Sequence, residues 1–240
     1  EAWTPIAGFA GVFDGNGKTL TVNYSGSDEQ AGIFATLDGT VKNLRVAGSF
    51  TTTATAKVTL GAVAGKLGEK AQIVGCTNTA GIAMNVDASG TTVIGGIFGQ
   101  GAAGNVIADN TNEGRITVRR KTPGDAAAVA GVGGWAYSDV TGCVNKGEIR
   151  YSDEVSAAKA VYVGGVLGRL DIGKGYVVED CRNEAPVTLA TAQAANNLLG
   201  GIAAYANGEN RDTPNTIRNC ENRADVLADA PVSDKAKTGQ

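Results

Sequence analysis

The stretch Ile94-Gly95-Gly96-Ile97-Phe98-Gly99, continued by Val106-Ile107-Ala108-Asp109-Asn110-Thr111-Asn112-Glu113-Gly114-Arg115-Ile116, decides the fold. It reads as a Gly-Gly turn between apolar residues, then an apolar-x-x-[Cys/Asn]-x-Asn step, then an apolar residue four places after the Asn. The same order recurs from Leu60 to Ile82, Val129 to Ile149, Val163 to Val187 and Leu199 to Val226. The second glycine position falls at Ala62, Gly96, Gly131, Gly165 and Gly201, a period of 34 to 36 residues. A fixed period of this size marks stacked repeats, each a supersecondary unit that cannot bury its apolar face alone.

Aligning the repeats column by column tests this. The Asn column is Asn78, Asn112, Asn145, Asn183 and Asn222. It reads as an asparagine ladder, whose stacked amides hydrogen-bond along the axis. Two places on, Ala80, Gly114, Gly147, Ala185 and Ala224 are all small, as a tight corner requires. Four places on, Ile82, Ile116, Ile149, Val187 and Val226 form an inward-facing core column. Directly after the Asn, Glu113, Lys146, Glu184 and Arg223 alternate in sign, and Arg115 falls beside Glu148. Opposite charges on adjacent strands are favourable and like charges are not, so this register predicts neighbouring layers with a charged solvent face.

Each repeat holds three short β-prone runs separated by turns, and no long amphipathic helical period is present. Stacked at about 4.8 Å per layer, such units make a parallel solenoid. Parallel crossovers are almost always right-handed, so the expected fold is all-β, a right-handed parallel β-helix of about six to seven coils. Residues 1–228 are expected to form a single domain, with shorter coils over 1–58, a Thr- and Ala-rich link at 51–58, and five full repeats over 59–228. Residues 229–240 read as a polar tail or linker. Asp14-Gly15-Asn16-Gly17 reads as a turn, and Leu20 and Val22 alternate as a short strand.

Composition excludes several functions. Twenty-one Lys and Arg against 24 Asp and Glu give a net charge of -3, spread along the chain, with no electrostatic footprint for nucleic acid. No apolar run approaches the roughly 20 residues of a membrane span. The absence of histidine removes Ser-His-Asp and Cys-His nucleophile systems and any histidine metal site. The four cysteines, Cys76, Cys143, Cys181 and Cys220, share one repeat position with Asn110 as the fifth member, and no Cys-x-x-Cys pair exists. They read as a column of buried free thiols, with no metal and no cofactor expected.

Gly95-Gly96-Ile97-Phe98-Gly99 and Gly164-Gly165-Val166-Leu167-Gly168 resemble the GLUG repeat, a Gly-apolar-x-Gly motif of bacterial surface proteins. The opening Trp3-Thr4-Pro5-Ile6 through Phe13-Asp14-Gly15-Asn16-Gly17-Lys18-Thr19-Leu20 resembles the segment that commonly precedes those repeats. The resemblance covers about residues 3 to 227, with Ala62 and Ala31 departing from it at glycine positions. It implies a pectin-lyase-like β-helix module of Bacteroidetes-type surface or adhesin-like proteins. It also implies an extracellular or cell-surface location, as one part of a longer chain. The expected function is therefore a non-catalytic scaffold or adhesin-type binding module, expected as a monomer, whose partner is an extracellular glycan or a host or cell-surface protein.

The alternative is a polysaccharide-active β-helix, a lyase or glycoside hydrolase. A glycosidase needs two carboxyl groups roughly 5–9.5 Å apart across one bond. In the aligned columns acidic residues neighbour Lys, Arg, Gly or Asn, leaving Asp171, Glu209 and Asp212 in loops as candidates, and no catalytic residue is assigned. A binding strip is better supported. Four places after the second glycine the column reads Lys66, Gln100, Trp135, Arg169 and Tyr205, with Tyr137 two residues beyond Trp135. In a chain only 5% aromatic, this places Trp135, Tyr137, Arg169 and Tyr205 together as candidate ligand-binding residues.

Overall fold

The computed structural model describes residues 2–87, 89–121, 125–154, 159–171, 175–191, 196–206, 213–229 and 237–239. All the elements among them are β-strands, paired in parallel. The chain is a parallel β-helix. One turn passes through Thr92–Gly95, Phe98–Gln100, Val106–Ala108, then Thr111–Asn112 and Ile116–Arg120. Equivalent strands of successive turns stack into four sheets, taken here in that order. The first and third sheets have seven strands, the second has six, and the fourth, which carries two strands per full repeat, has twelve.

The register follows the aligned columns. Asn78 faces Asn112, Asn112 faces Asn145, Asn145 faces Asn183 and Asn183 faces Asn222. The core column Ile82, Ile116, Ile149, Val187 and Val226 is likewise in register. On the charged columns, Arg115 pairs with Glu148 at 3.1 Å and Arg223 with Glu184 at 3.9 Å, while Glu113 turns to Arg45 at 2.9 Å. These pairs are exposed, so each contributes at most about 1 kcal/mol, and they fix register more than stability.

The Asn column is a continuous ladder. Each side-chain amide donates to the next carboxamide oxygen, at 2.8 Å from Asn78, 2.9 Å from Asn112, 2.8 Å from Asn145 and 2.7 Å from Asn183. It also donates to the carbonyl two residues on, which closes the small-residue corner. The Gly column exists because of this ladder. A Cβ at Gly96, Gly131, Gly165 or Gly201 would lie 2.3–2.5 Å from the amide carbon of the Asn across the core. Fourteen to twenty-one residues of sequence therefore separate two columns that form one packing unit.

Another corner column is set by backbone sign. Asn43, Gly75, Asp109, Gly142, Asp180 and Asn219 all have positive φ, between 51° and 64°. Only Gly, Asn and Asp adopt that region at low cost, which explains the chemistry of the position just before the cysteines. Cys76, Cys143 and Cys181 are buried, Cys220 is half-buried, and all four are free thiols. Where Asn110 replaces a cysteine, its oxygen accepts from the Cys76 amide at 2.9 Å and its Nδ2 donates to Ile73 O at 2.7 Å.

The two ends differ. At the first level, Ile6 and Phe9 bridge to Phe34 and Leu37, Phe9 stacks on Phe34 at 4.8 Å, and the Trp3 indole donates to Gly32 O. That aromatic plug keeps Val22, Tyr24 and Ala31 buried. At the last full repeat, Ile217 and Leu227 are 43% and 51% exposed, although the Ile217 column below is buried. The expected link at 51–58 is shorter than the sequence suggests, because Arg45–Thr52 is one strand and Val58–Gly61 the next, with Thr52 and Ala54 buried. Past the repeats, Lys237–Gly239 pairs with Asn197–Gly200 in the first sheet, and the remaining residues of the expected tail after Asp229 lie outside the described residues.

Candidate functional site

The strip anticipated from the sequence forms on the outer side of the second sheet. Lys66 faces Gln100, Gln100 faces Trp135, Trp135 faces Arg169 and Arg169 faces Tyr205. The strand beneath explains why the column points outward. A Cβ on Gly134 would lie 2.8 Å from both the Ile94 amide nitrogen and Val93 Cγ1, so the second sheet lies directly against the outer side of the first. Thr59, Val93 and Ala128, which alternate with core residues of the first sheet, are buried under it. Small residues at the contact let the next long side chain project across the seam.

Three aromatic rings gather around one guanidinium, and a fourth stacks on one of them. Arg169 lies 4.3 Å from the Trp135 ring centroid, 5.4 Å from that of Tyr205 and 5.6 Å from that of Tyr162. Trp135 and Tyr137 are nearly parallel at 5.8 Å, and Tyr162 and Tyr205 lie 5.5 Å apart. All five side chains are half-buried. Each cation–π contact of this kind contributes roughly 0.5–2 kcal/mol, rising as water is excluded.

Asp171 is the hub. Its carboxylate accepts from Trp135 Nε1 at 3.0 Å and from Arg169 at 3.1 Å. Its amide donates to Ala136 O, and Asn215 Nδ2 donates to its carbonyl at 3.0 Å. Tyr137 sits close to the same carboxylate. Burial first, and Asp171 second, push the Tyr137 hydroxyl up to about 12, so it remains a proton donor at any physiological pH. A carboxylate held by an indole N–H and a guanidinium is engaged as an acceptor by the strip's own side chains.

The structure therefore brings together all four residues expected from the sequence: Trp135, Tyr137, Arg169 and Tyr205. It adds two the sequence reading did not place there. From sequence, Asp171 stands as a loop carboxylate in the turn that follows Arg169. It lies next to Tyr137 in the aligned columns, a neighbour relation visible once Trp135 and Arg169 are matched. Tyr162 belongs to the first sheet, opposite Ala128 and Leu198, and becomes part of the strip only because the two sheets touch. Glu209 and Asp212 lie outside the described residues.

A second polar cluster is enclosed inside the solenoid. Arg120, fully buried, donates to Gly90 O at 3.0 Å and Asp125 O at 3.1 Å. Tyr151 and Thr191 both donate to Asp153. Buried charge with this many backbone partners ties successive turns together, and its lack of exposure leaves it no route to a ligand. Among the described residues, no group of three or more Cys, Asp or Glu side chains could hold a metal ion, and no helix is long and apolar enough to cross a membrane. No protein-family model, curated protein or solved structure matches this chain.

Proposed function

We propose that this β-helix is a non-catalytic scaffold of the bacterial cell surface whose outer strip, centred on Trp135 and Arg169, contacts an extended extracellular ligand. One observation carries the reading: half-exposed aromatic side chains from three successive layers converge on an internally neutralised Arg169–Asp171 pair. Preorganised aromatic surface of this kind binds at little entropic cost, because its side chains are already fixed. The resemblance of Gly95-Gly96-Ile97-Phe98-Gly99 to GLUG repeats supports a surface location and an adhesin-like role. The polysaccharide-active alternative loses support from Asp171, whose carboxylate holds the strip together.

An array of glycans and cell-surface proteins, probed with the purified chain, tests the proposal together with an assay for reducing ends and unsaturated products. Retention of a ligand without product release is the expected result. Product formation lost on Asp171→Asn overturns it.

A further inference from the structure

The strip is neutral at its centre, where Arg169 pairs with Asp171, and it is periodic. Both properties bear on what chemistry it can hold. Arg169 is the cation nearest its centre, yet its guanidinium faces three rings and pairs with Asp171 at 3.1 Å, and the side chains of the two are only 21% and 11% exposed. An acidic polymer laid along the strip would have to compete with Asp171 for that guanidinium. A basic one would have to compete with Arg169 for the carboxylate. Neither exchange adds to the number of ion pairs, and each leaves behind a buried group that carries the ligand's own sign of charge.

The spacing is equally specific. Trp135 and Tyr205 occupy one column with Arg169 between them, so they are two layers, or about 9.6 Å, apart along the solenoid axis. A pyranose in an equatorially linked chain advances the polymer by close to one such layer. It also turns over at each linkage, so alternate residues present the same face to the same side. Rings two layers apart therefore meet like faces of alternate sugars. Lys66 and Gln100 continue the column on the earlier layers and offer hydrogen-bond donors to hydroxyl groups.

Resting on the proposed binding role of this strip, we infer that its ligand is a neutral, β-1,4-linked hexopyranose or pentopyranose chain lying parallel to the solenoid axis. The carbon–hydrogen faces of alternate sugars lie against the parts of the Trp135 and Tyr205 rings that Arg169, Tyr137 and Tyr162 leave open. The Arg169–Asp171 pair is a positioning element that holds the Trp135 ring and does not recognise charge.

The test is a titration of the full chain with β-1,4-linked gluco-, manno- and xylo-oligosaccharides of two to six residues, beside oligogalacturonates and α-1,4-linked maltohexaose. Tryptophan emission and calorimetry provide the readouts. For at least one neutral β-1,4 series, affinity should rise about tenfold or more between the disaccharide and the tetrasaccharide and then level off, without salt dependence. Trp135→Ala and Tyr205→Ala should each remove that gain. Salt-sensitive binding of oligogalacturonate in preference to the neutral series overturns the inference while leaving the strip as a ligand surface. So does equal binding of maltohexaose, whose chain curves. A captured surface protein that is lost on Trp135→Ala, with no sugar bound, does the same. Binding unaffected by either substitution removes both the inference and the proposal beneath it.

Discussion

A methyl carbon placed on Gly131 would lie 2.3 Å from the amide carbon of Asn145. The glycine that marks each repeat in the sequence is thus the space into which the asparagine ladder fits. Gly131→Ala should destabilise the protein by about 1–3 kcal/mol through overpacking, since backbone at Gly165 O also crowds the site at 2.4 Å. Gly81→Ala, where the nearest atom is 3.9 Å away, should cost far less. Urea denaturation of the two variants checks the contrast, and equal losses would contradict it.

The ladder itself makes a second prediction. Asn145 accepts from Asn112, donates to Asn183 and to Gly147 O, and accepts from the Gly147 amide, all while buried. Asn145→Ala strands groups on both neighbours and should cost about 2–4 kcal/mol, from unsatisfied buried donors and acceptors of about 1–3 kcal/mol each. Asn222→Ala, at the exposed end, should cost clearly less. Thermal melts that rank Asn222 above Asn145 would show that the ladder does not behave as a buried unit.

Alkaline pH should weaken the fold in a defined window. Burial pushes the Tyr24 and Tyr137 hydroxyls up to about 12, and drives Tyr151 upward as well. Each folded-state value lies above the unfolded value of about 10, so the folded chain keeps protons that the unfolded chain releases. The associated stability is fully present below about pH 10 and is lost as pH climbs through about 12. Absorbance titration near 295 nm should show these tyrosines ionising late and together with unfolding. Six tyrosines titrating normally in the folded protein would be inconsistent with it.

The thiols should respond in order of access. Burial raises the Cys76 thiol to about 11, and Cys143 alongside, with burial second, raises the Cys181 thiol, so neither carries much thiolate at neutral pH. Cys220 at the open end is the half-buried member of the column. A chromogenic disulfide reagent should modify Cys220 first in the native protein and all four cysteines after denaturation without reductant. Fewer than four thiols in the denatured sample would mean that a disulfide had formed.

Much of the fold is legible in the sequence because a solenoid converts sequence period into spatial neighbourhood. Asn112 and Asn145 are 33 residues apart and in direct contact, so a column alignment is already a contact map. The strip was readable for the same reason, through Trp135, Arg169 and Tyr205. What escaped was contact between columns of different sheets. Tyr162 joins the strip because Gly134 allows the second sheet to lie on the first, an angle that no single column encodes. The Arg120, Tyr151 and Asp153 cluster escaped for a related reason. An arginine at the end of a strand reads as solvent-facing until the neighbouring layer shows that its column, Val86, Arg120 and Asp153, points inward.

The account stands on Trp135 being ligand surface and not merely packing. The decisive measurement compares wild type with Trp135→Ala and Tyr205→Ala on the same array of glycans and surface proteins, with a melting temperature recorded for each. Both variants should lose the retained ligand by about tenfold or more while melting within a few degrees of wild type, because half-buried side chains contribute little to a core. Retention of the ligand by either variant, or collapse of the melting temperature in Trp135→Ala, would contradict the account.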